Sequence, residues 1–441
     1  MFELCVALVA GSWTETTPQD FMDGWYDPLL YVSRRLQVEG ANPADSGAVE
    51  FYARFDANRD GYYDLVSADG NGPYVRLWFG SPTGYSSSNV RYFSVTSGGN
   101  CDMADLNLDG WPELIHSGYV TGNCRIYWGS QSAGGPDPNN YTSLPNDNAE
   151  AVFVYDLDKD TYLDVILGGD DRVVIYWGGS DGYLPGNLSI REFPAYLCHN
   201  LEVADLNRDG YADIALLTGT NPGSIYILWG DGDRNLNNNQ AWSDGIGRGA
   251  HGLSLADLNR DGWPDIVATA NDQVRSAKVY WSNSGSFSSA NITTINTDQC
   301  YGGSSAWDVN RDGWLDLIFF RGGMSSSLPL LFCPNIGTPP YFRDSDTIRF
   351  GLSVGYSGGF AYDFNQDGKM DLFANVYGTN YSYVYWGVSP AGSYDSVQSL
   401  PVNRDHHGGF RECGNVYDRS PTAWYESGVF SEANLQSNVT I

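Results

Sequence analysis

The clearest chemistry in this sequence lies in the nine residues 205–213, DLNRDGYAD. Asp stands at the first, fifth and ninth positions, and Asn stands at the third. Alternate residues of a tight loop can point side-chain oxygens at one centre, and Ca²⁺ takes about six to eight oxygen ligands at ~2.3–2.6 Å. Without a cation, the three carboxylates would repel one another. The stretch therefore predicts a calcium site.

The same pattern recurs seven times, at intervals of 49 to 55 residues, and we number these segments loops 1 to 7. Position six is Gly except at Thr161, and position nine is Asp except at Glu113. Gly permits the positive φ that lets the chain turn back, and the carbonyl of position seven can add a ligand. The predicted side-chain ligands are Asp56, Asn58, Asp60 and Asp64; Asp105, Asn107, Asp109 and Glu113; Asp156, Asp158, Asp160 and Asp164; Asp205, Asn207, Asp209 and Asp213; Asp257, Asn259, Asp261 and Asp265; Asp308, Asn310, Asp312 and Asp316; and Asp363, Asn365, Asp367 and Asp371.

The charge of the chain is concentrated in these loops. The 441 residues carry a net charge of −29, and removing the 22 loop carboxylates would leave −7. Seven bound Ca²⁺ ions would bring −29 to −15, so we expect about seven sites. So acidic a chain repels nucleic acid and anionic membrane surfaces. No apolar run approaches the ~20 residues of a membrane span.

An EF-hand loop begins in the same way, but it needs a Glu at position twelve and flanking helices. Position twelve of the seven loops is Ser, His, Leu, Leu, Ala, Phe and Ala. The residues that follow each loop have the β-rich character of a strand, as in DIALL at 213–217. The EF-hand is therefore excluded.

Each unit of about 51 residues contains four short β-rich runs and shows no helical periodicity. This pattern predicts the blade of a β-propeller, whose faces are buried only against neighbouring blades, so that the units close into a ring. An aromatic residue 21 to 24 positions after the first Asp is predicted to be core between blades. It is Trp78, Trp128, Trp177, Trp229, Trp281, Phe332 or Trp386.

Over about residues 51 to 400, the repeats resemble the FG-GAP or integrin-alpha-type repeat, also described as the VCBS-type repeat of bacterial secreted proteins. The resemblance implies an all-β fold, a seven-bladed β-propeller of four-stranded antiparallel blades. In that family a calcium loop joins the first two strands of each blade on one face, and ligands engage the opposite face. The 28 residues given above are then the calcium ligands. Thr161 would weaken the third site, and Glu113 would shift the second.

The remaining segments lie outside the repeat. We divide the chain into an N-terminal segment (1–48), the propeller (49–400) and a tail (401–441) that reads as the start of a further β module. The N-terminal run is equally consistent with a remnant signal peptide and with a first strand, and residues 29–33 could close the ring. Cys101 with Cys124, and Cys300 with Cys333, could form equivalent disulfides, although buried free thiols are favoured.

No GxSxG elbow, phosphate loop or HExxH motif is present. The residue six before each first Asp should lie near the mouth of the central channel, opposite the loops. Glu150, His199 and His251 hold this place in three successive repeats, and could bind a transition metal or a substrate. A wet polar rim is the plainer interpretation. Asp171, Arg172 and Arg248 should lie in turns on the same face, where a ligand would bind.

These observations predict an extracellular or cell-surface, non-catalytic, calcium-binding propeller for adhesion or for binding a protein or glycan ligand. We expect a monomer or one part of a larger multidomain chain. The alternative is a lyase-like enzyme acting on polysaccharides, with its site at the channel mouth opposite the calcium loops.

Overall fold

The computed structural model describes residues 25–26, 30–33, 50–402 and 425–426. Within the long range it leaves out residues 54–55, 61, 69–72, 108, 119–123, 146–148, 161, 170, 185, 193–197, 219–222, 235, 237–238, 243–249, 271–274, 324–325 and 366. The described residues form β-strands and one 3-10 helix, Asp344–Asp346. None of the described helices is long and apolar enough to cross a bilayer.

The strands follow the seven repeats, and we number the blades with their loops. Outside the blades lie β1 (Trp25–Tyr26), β2 (Leu30–Ser33) and β31 (Tyr425–Glu426). Blades 1 and 2 contain β3 (Glu50–Ala53), β4 (Leu65–Ala68), β5 (Tyr74–Trp78), β6 (Val90–Ser94), β7 (Cys101–Ala104), β8 (Glu113–His116), β9 (Cys124–Ser130) and β10 (Gly135–Leu144). Blades 3 and 4 contain β11 (Ala149–Tyr155), β12 (Asp164–Gly169), β13 (Arg172–Tyr176), β14 (Leu188–Glu192), β15 (Cys198–Ala204), β16 (Asp213–Thr218), β17 (Ser224–Leu228) and β18 (Asn239–Trp242). Blades 5, 6 and 7 contain β19 (Ala250–Ala256), β20 (Asp265–Ala270), β21 (Ala277–Tyr280), β22 (Ile292–Ile295), β23 (Ser304–Trp307), β24 (Asp316–Phe319), β25 (Leu328–Cys333), β26 (Ile348–Val354), β27 (Tyr356–Tyr362), β28 (Met370–Val376), β29 (Tyr381–Val388) and β30 (Ser396–Pro401).

The predicted all-β, seven-bladed propeller is confirmed. Blades 2 to 7 are antiparallel sheets of four strands in chain order, each made from one continuous segment. The first blade differs in detail, because its described sheet is β4-β5-β6, while β3 pairs with β2. Of residues 29–33, predicted as a ring-closing strand, residues 30–33 form β2, which pairs antiparallel with the first strand of blade 1. In the two terminal segments, β1 pairs with β31, and most of the predictions made there fall outside the described residues.

Burial explains the strand composition. The second strands are buried on both faces, as in β4 and β16, and they consist mostly of apolar residues. Outer strands such as β6 are mostly accessible instead, and Phe93 is the one buried residue of β6. The core consists of clusters shared between adjacent blades, for example Ile166 and Ile175 of blade 3 with Leu201 and Ile214 of blade 4. The described cysteines 101, 124, 198, 300 and 333 are buried free thiols, as favoured from the sequence.

The recurrent aromatic residue packs between blades, as predicted. Trp177 is buried, Trp281 stacks on Phe342 of the next blade with ring centroids 6.2 Å apart, and Trp386 stacks on Tyr85 at 6.0 Å. The residue predicted for this position was wrong in blades 1 and 6.

The strand register shows both errors. Trp78 pairs with Leu65 as Tyr127 pairs with Leu114, so the next residue, Phe79, occupies the place of Trp128. In blade 6, Cys333 pairs with Leu317, so the residue equivalent to Trp128 is Pro334. Phe332, the predicted residue, lies two positions before it. Sequence spacing misses these shifts because the loops between strands differ in length.

Two further sets of contacts join the blades. Near the channel, Asp102 accepts a hydrogen bond from the Val154 N–H of the next blade at 2.9 Å, and Ser305 accepts one from Ala361 N–H at 3.1 Å. At the seam between blades 7 and 1, Tyr85 N–H donates to Gln398 Oε1 at 3.4 Å, and Gln398 Nε2 donates to the Tyr85 carbonyl. Among the described residues, the Gln398 side chain therefore joins the last blade to the first.

Candidate metal centres

Each acidic loop joins the first and second strands of its blade, and all 28 predicted ligands are among the described residues. Loop 4 shows the shared geometry. Asp209 N–H donates to Asp205 Oδ1 at 3.2 Å and to Asn207 Oδ1 at 2.9 Å. Gly210 N–H donates to Asp205 Oδ2 at 2.8 Å, and Tyr211 N–H donates to Asp209 Oδ1 at 2.9 Å. These Asx turns bend the chain around the side chains that precede them.

The other loops repeat this geometry. The N–H of position five donates to the side chain of position three at 2.9–3.1 Å in all seven loops. The N–H of position seven donates to the position-five carboxylate at 2.8–2.9 Å in all seven. A conformation reproduced in seven sequences reflects the Asp-x-Asn/Asp-x-Asp spacing itself.

The position-nine carboxylate is buried and fixes the loop to the rest of its blade. Asp213 accepts N–H bonds from Leu206 in the loop and from Gly230 after the third strand, both at 2.8 Å. Equivalent pairs of bonds occur in every blade. Glu113 retains both, at 2.6 and 3.1 Å, so its longer arm keeps the same attachment.

The loops are electrostatically unfavourable on their own. Burial raises the pKa of each position-nine carboxyl above its ordinary value, and repulsion from the nearby loop carboxylates raises it further. The pKa is raised to about 8 for Asp213 and to about 7 for Asp316 and Asp371. Burial also raises the pKa of Asp205, Asp257 and Asp308 at position one. A cation at the centre of each loop would reverse this penalty.

The donor set fits a hard cation. In loop 3, one carboxylate oxygen from each of Asp156, Asp158 and Asp164 lies within 4.8 Å of the other two. An ion at ~2.3–2.6 Å from each oxygen matches that separation, and carboxylate and amide oxygens are the ligands that calcium prefers. The Asp, Asn and Glu residues at positions one, three, five and nine would hold the ion, which would supply positive charge rather than reactivity.

Backbone conformation explains the glycine of position six. The five described glycines at this position have φ between 81° and 91°. Position four also has positive φ, which the sequence analysis did not predict: φ lies between 53° and 62° at Arg59, Lys159, Arg208, Arg260 and Arg311. In this conformation the basic side chain extends towards the next blade.

Neighbouring loops are joined by cation–π contacts that the sequence did not predict. The cation of position four lies over the ring at position seven of the next loop. The distances to the ring centroid are 5.4 Å for Arg59 over Trp111, 5.0 Å for Lys159 over Tyr211, 5.5 Å for Arg208 over Trp263, and 4.9 Å for Arg260 over Trp314. A Cβ at Gly313 would lie 2.8 Å from a guanidinium nitrogen of Arg260, so glycine also leaves room for the cation.

Loop 3 has an additional arginine. In the other six loops, Asn at position three donates through Nδ2 to the Asp at position five. Asp158 cannot donate, and Arg234 of blade 4 binds both Asp158 Oδ2 at 2.6 Å and Asp160 Oδ2 at 3.2 Å. Loop 3 thus carries one more negative and one more positive charge than the other loops. From the sequence, Asp in place of Asn at position 158 indicates that a positive charge is needed nearby. The sequence does not indicate that Arg234 supplies it.

On the opposite face, the structure places Glu150, His199 and His251 at equivalent points of three neighbouring blades. Each is the extra residue of a β-bulge at the start of its first strand, skipped by the pairing with the second strand. Glu150 is buried. Bulges redirect side chains and are common near active sites, but the His199 and His251 side chains fall outside the described part.

Of the other predicted ligand-binding residues, Asp171 and Arg172 are described by the structure. Arg172 begins the third strand of blade 3 on that face, and Asp171 lies in the bend before it, where Arg172 Nε lies 2.7 Å from Asp171 Oδ1. Both side chains are well exposed. Arg248 lies outside the described residues. Asp171 and Arg172 thus form an exposed ion pair.

Fold and loops together define a seven-bladed propeller with an acidic Asx-turn loop in each blade. A family model of FG-GAP-like repeats matches residues 56–116, 156–216, 205–268 and 257–319, which together make up 225 of the 441 residues. The chain therefore belongs to the FG-GAP-like repeat family, as its sequence predicted. Each match runs from one acidic loop through the next. No curated protein matches the chain significantly.

Proposed function

We propose that the protein is an extracellular calcium-binding propeller in which calcium stabilises the blades and a protein or glycan ligand binds without catalysis. The propeller fold of the family favours a ligand-binding or scaffold role. The observation that carries the calcium proposal is the buried position-nine carboxylate of each loop. Burial raises the pKa of this carboxyl, the like charges beside it raise the pKa further, and a divalent ion would relieve the repulsion.

The acidic composition supports the extracellular assignment indirectly. Sites of this kind in extracellular modules commonly bind calcium with ~10⁻⁴–10⁻³ M dissociation constants, which suits a calcium-rich exterior. Seven bound ions would halve the net charge from −29 to −15. Adhesion or ligand capture is then the role expected of a rigid, calcium-stabilised disc.

Thermal unfolding with and without calcium tests the proposal. We expect metal-stripped protein to melt well below protein in excess calcium, because binding to the folded state alone stabilises it. Elemental analysis should count about seven calcium ions per chain. Equal melting temperatures and a metal-free protein would contradict the calcium proposal, and magnesium serves as the control ion.

A polysaccharide lyase is the second candidate, and the three successive bulges at Glu150, His199 and His251 favour it. A histidine in such a place could act as a general base. We would incubate the protein with acidic polysaccharides and measure unsaturated products. Activity lost in both His199→Ala and His251→Ala, with melting unchanged, would replace the non-catalytic proposal.

A further inference from the structure

We propose that a cleft between blades 6 and 7, on the calcium-loop face, binds an anionic sugar, one that carries carboxylate or sulfate groups. The proposal goes beyond the general ligand-binding role, and it rests on the proposed function only for its calcium dependence. The ligand would bind on the face opposite Glu150, His199 and His251.

The series of contacts is interrupted where loop 6 meets loop 7. Position four of loop 6 is Arg311, with the same positive φ of 58° as its counterparts. Position seven of loop 7 is Lys369, where loops 2, 4, 5 and 6 provide Trp or Tyr. The Arg311 side chain is exposed and has no hydrogen bond, ion pair or ring contact within the described part of the chain. The equivalent arginines of other loops lie against an aromatic ring, whereas the Arg311 guanidinium is available to bind a ligand.

A cleft of about 410 Å³ opens at this interruption. Its size falls within the ~300–1,000 Å³ typical of small-ligand sites. Arg311 and Lys369 provide its positive charges. Lys369 Nζ lies 2.5 Å from Asp395 Oδ2, with both side chains more than half exposed, so water or a ligand anion can compete for this lysine.

The floor and walls of the cleft are mixed in character. Val388, Pro390 and Met370 supply apolar surface, and Ser389 and Ser393 supply hydroxyl groups 2.7 Å apart. Apolar carbon with a few convergent polar groups suits a sugar ring, which has C–H faces and hydroxyl edges. An extended peptide would instead add to an open strand edge, whereas loops form most of this cleft. The lining therefore favours a sugar over an acidic peptide.

Calcium would set the charge of the cleft. Its lining holds three carboxylates, Asp308, Asp363 and Asp395, against the two basic residues, a net charge of −1. Asp308 and Asp363 are position-one residues of loops 6 and 7. With the other carboxylates of these two loops, Asp312, Asp316, Asp367 and Asp371, the net charge is −5, and one Ca²⁺ in each loop would raise it to −1. An anionic sugar would then be strongly repelled without calcium, and with calcium the repulsion would be weak enough for Arg311 and Lys369 to bind it. Arg311 suits this ligand because its planar fork can bind a carboxylate or sulfate through two hydrogen bonds.

Titration calorimetry of the full chain with trigalacturonate tests the proposal. We expect binding in calcium, and loss of about tenfold or more in affinity for Arg311→Ala. Lys369→Trp should abolish binding by placing a ring over Arg311, with a melting temperature at or above that of the parent. Arg275→Ala removes an exposed charge from blade 5 at the opposite face, and it should bind as the parent does.

The remaining ligands distinguish the sources of the anion. Binding of a sulfated galactose trisaccharide would also support the site and identify sulfate as an accepted group. Three results would overturn the proposal. One is equally strong binding of a neutral galactose trisaccharide, and another is tighter binding of tetraglutamate. The third is a folded Lys369→Trp variant that binds with the affinity of the parent.

Calcium is counted and melting is measured in the same samples. Protein that binds calcium but no anionic sugar overturns this inference alone. Protein that neither binds calcium nor gains stability from it contradicts the proposed function. Equal sugar binding with and without calcium would overturn the calcium dependence of the cleft.

Discussion

At the scale of single residues, the carboxylates of a loop have two different roles. Asp213 is buried and accepts two backbone N–H bonds, so it organises the loop before any ion arrives. Asp209 is exposed, and its described bonds lie within the loop. Removing each one should therefore have a different dependence on calcium.

We expect Asp213→Asn to lower the melting temperature in calcium and in chelator alike. An Asn has one acceptor oxygen, so one buried N–H loses its partner, at a cost of about 1–3 kcal/mol. Asp209→Ala should lower the melting temperature mainly in calcium, because without an ion it also removes repulsion. Differential scanning calorimetry checks both variants. An Asp209→Ala protein that melts with the parent in calcium would show that the ligand assignment is wrong.

At the scale of elements, the contact between neighbouring loops depends on two residues in different blades. Arg260 lies 4.9 Å from the ring of Trp314, whereas Arg311 has no ring in the same position. The two arginines have the same positive φ, within 1° of each other. They therefore form a matched pair for measuring the contact.

We expect Arg260→Gln to reduce the free energy of unfolding by about 0.5–1 kcal/mol, the value of an exposed cation–π contact. Arg311→Gln should leave it nearly unchanged, because both substitutions meet the same backbone strain but only one removes a ring contact. Urea denaturation in excess calcium measures both. Equal losses for the two variants would mean that the contact contributes nothing to stability.

Sequence predicted what repeats and missed what differs. The seven loops, the blade count and the inter-blade aromatic residues followed from period and spacing, because each is local or recurs every ~50 residues. Pairing between repeats did not, since Arg234 reaches loop 3 from 74 residues beyond Asp160. The equivalence of Phe79 to the tryptophans of the other blades could not be predicted either. A one-residue change in loop length shifts the strand register without changing the composition.

At the scale of the whole molecule, the buried carboxylates predict an unusual pH dependence. An unfolded Asp has a pKa near 3.9, whereas Asp213 in the fold titrates at about 8 and Asp316 at about 7. The metal-free folded state thus binds more protons than the unfolded state between these values. Its stability should fall as pH rises from about 4 to about 8.

Melting curves of metal-stripped protein across this range check the sign. With excess calcium the trend should weaken or disappear, because a bound cation favours the ionised carboxylate in the fold. A metal-free protein that grows more stable towards about pH 8 would contradict the burial of ionisable groups that we describe.

Each of blades 2 to 7 comes from one uninterrupted segment, and in the described part of the chain side chains join blade 7 to blade 1. Duplicating or deleting a whole repeat in the gene would therefore leave every remaining sheet intact and alter only the curvature at the interfaces. A ring built in this way can change its number of blades by recombination between repeats. Its seam, where the described residues show no backbone pairing between blades 7 and 1, is where a new unit would be admitted.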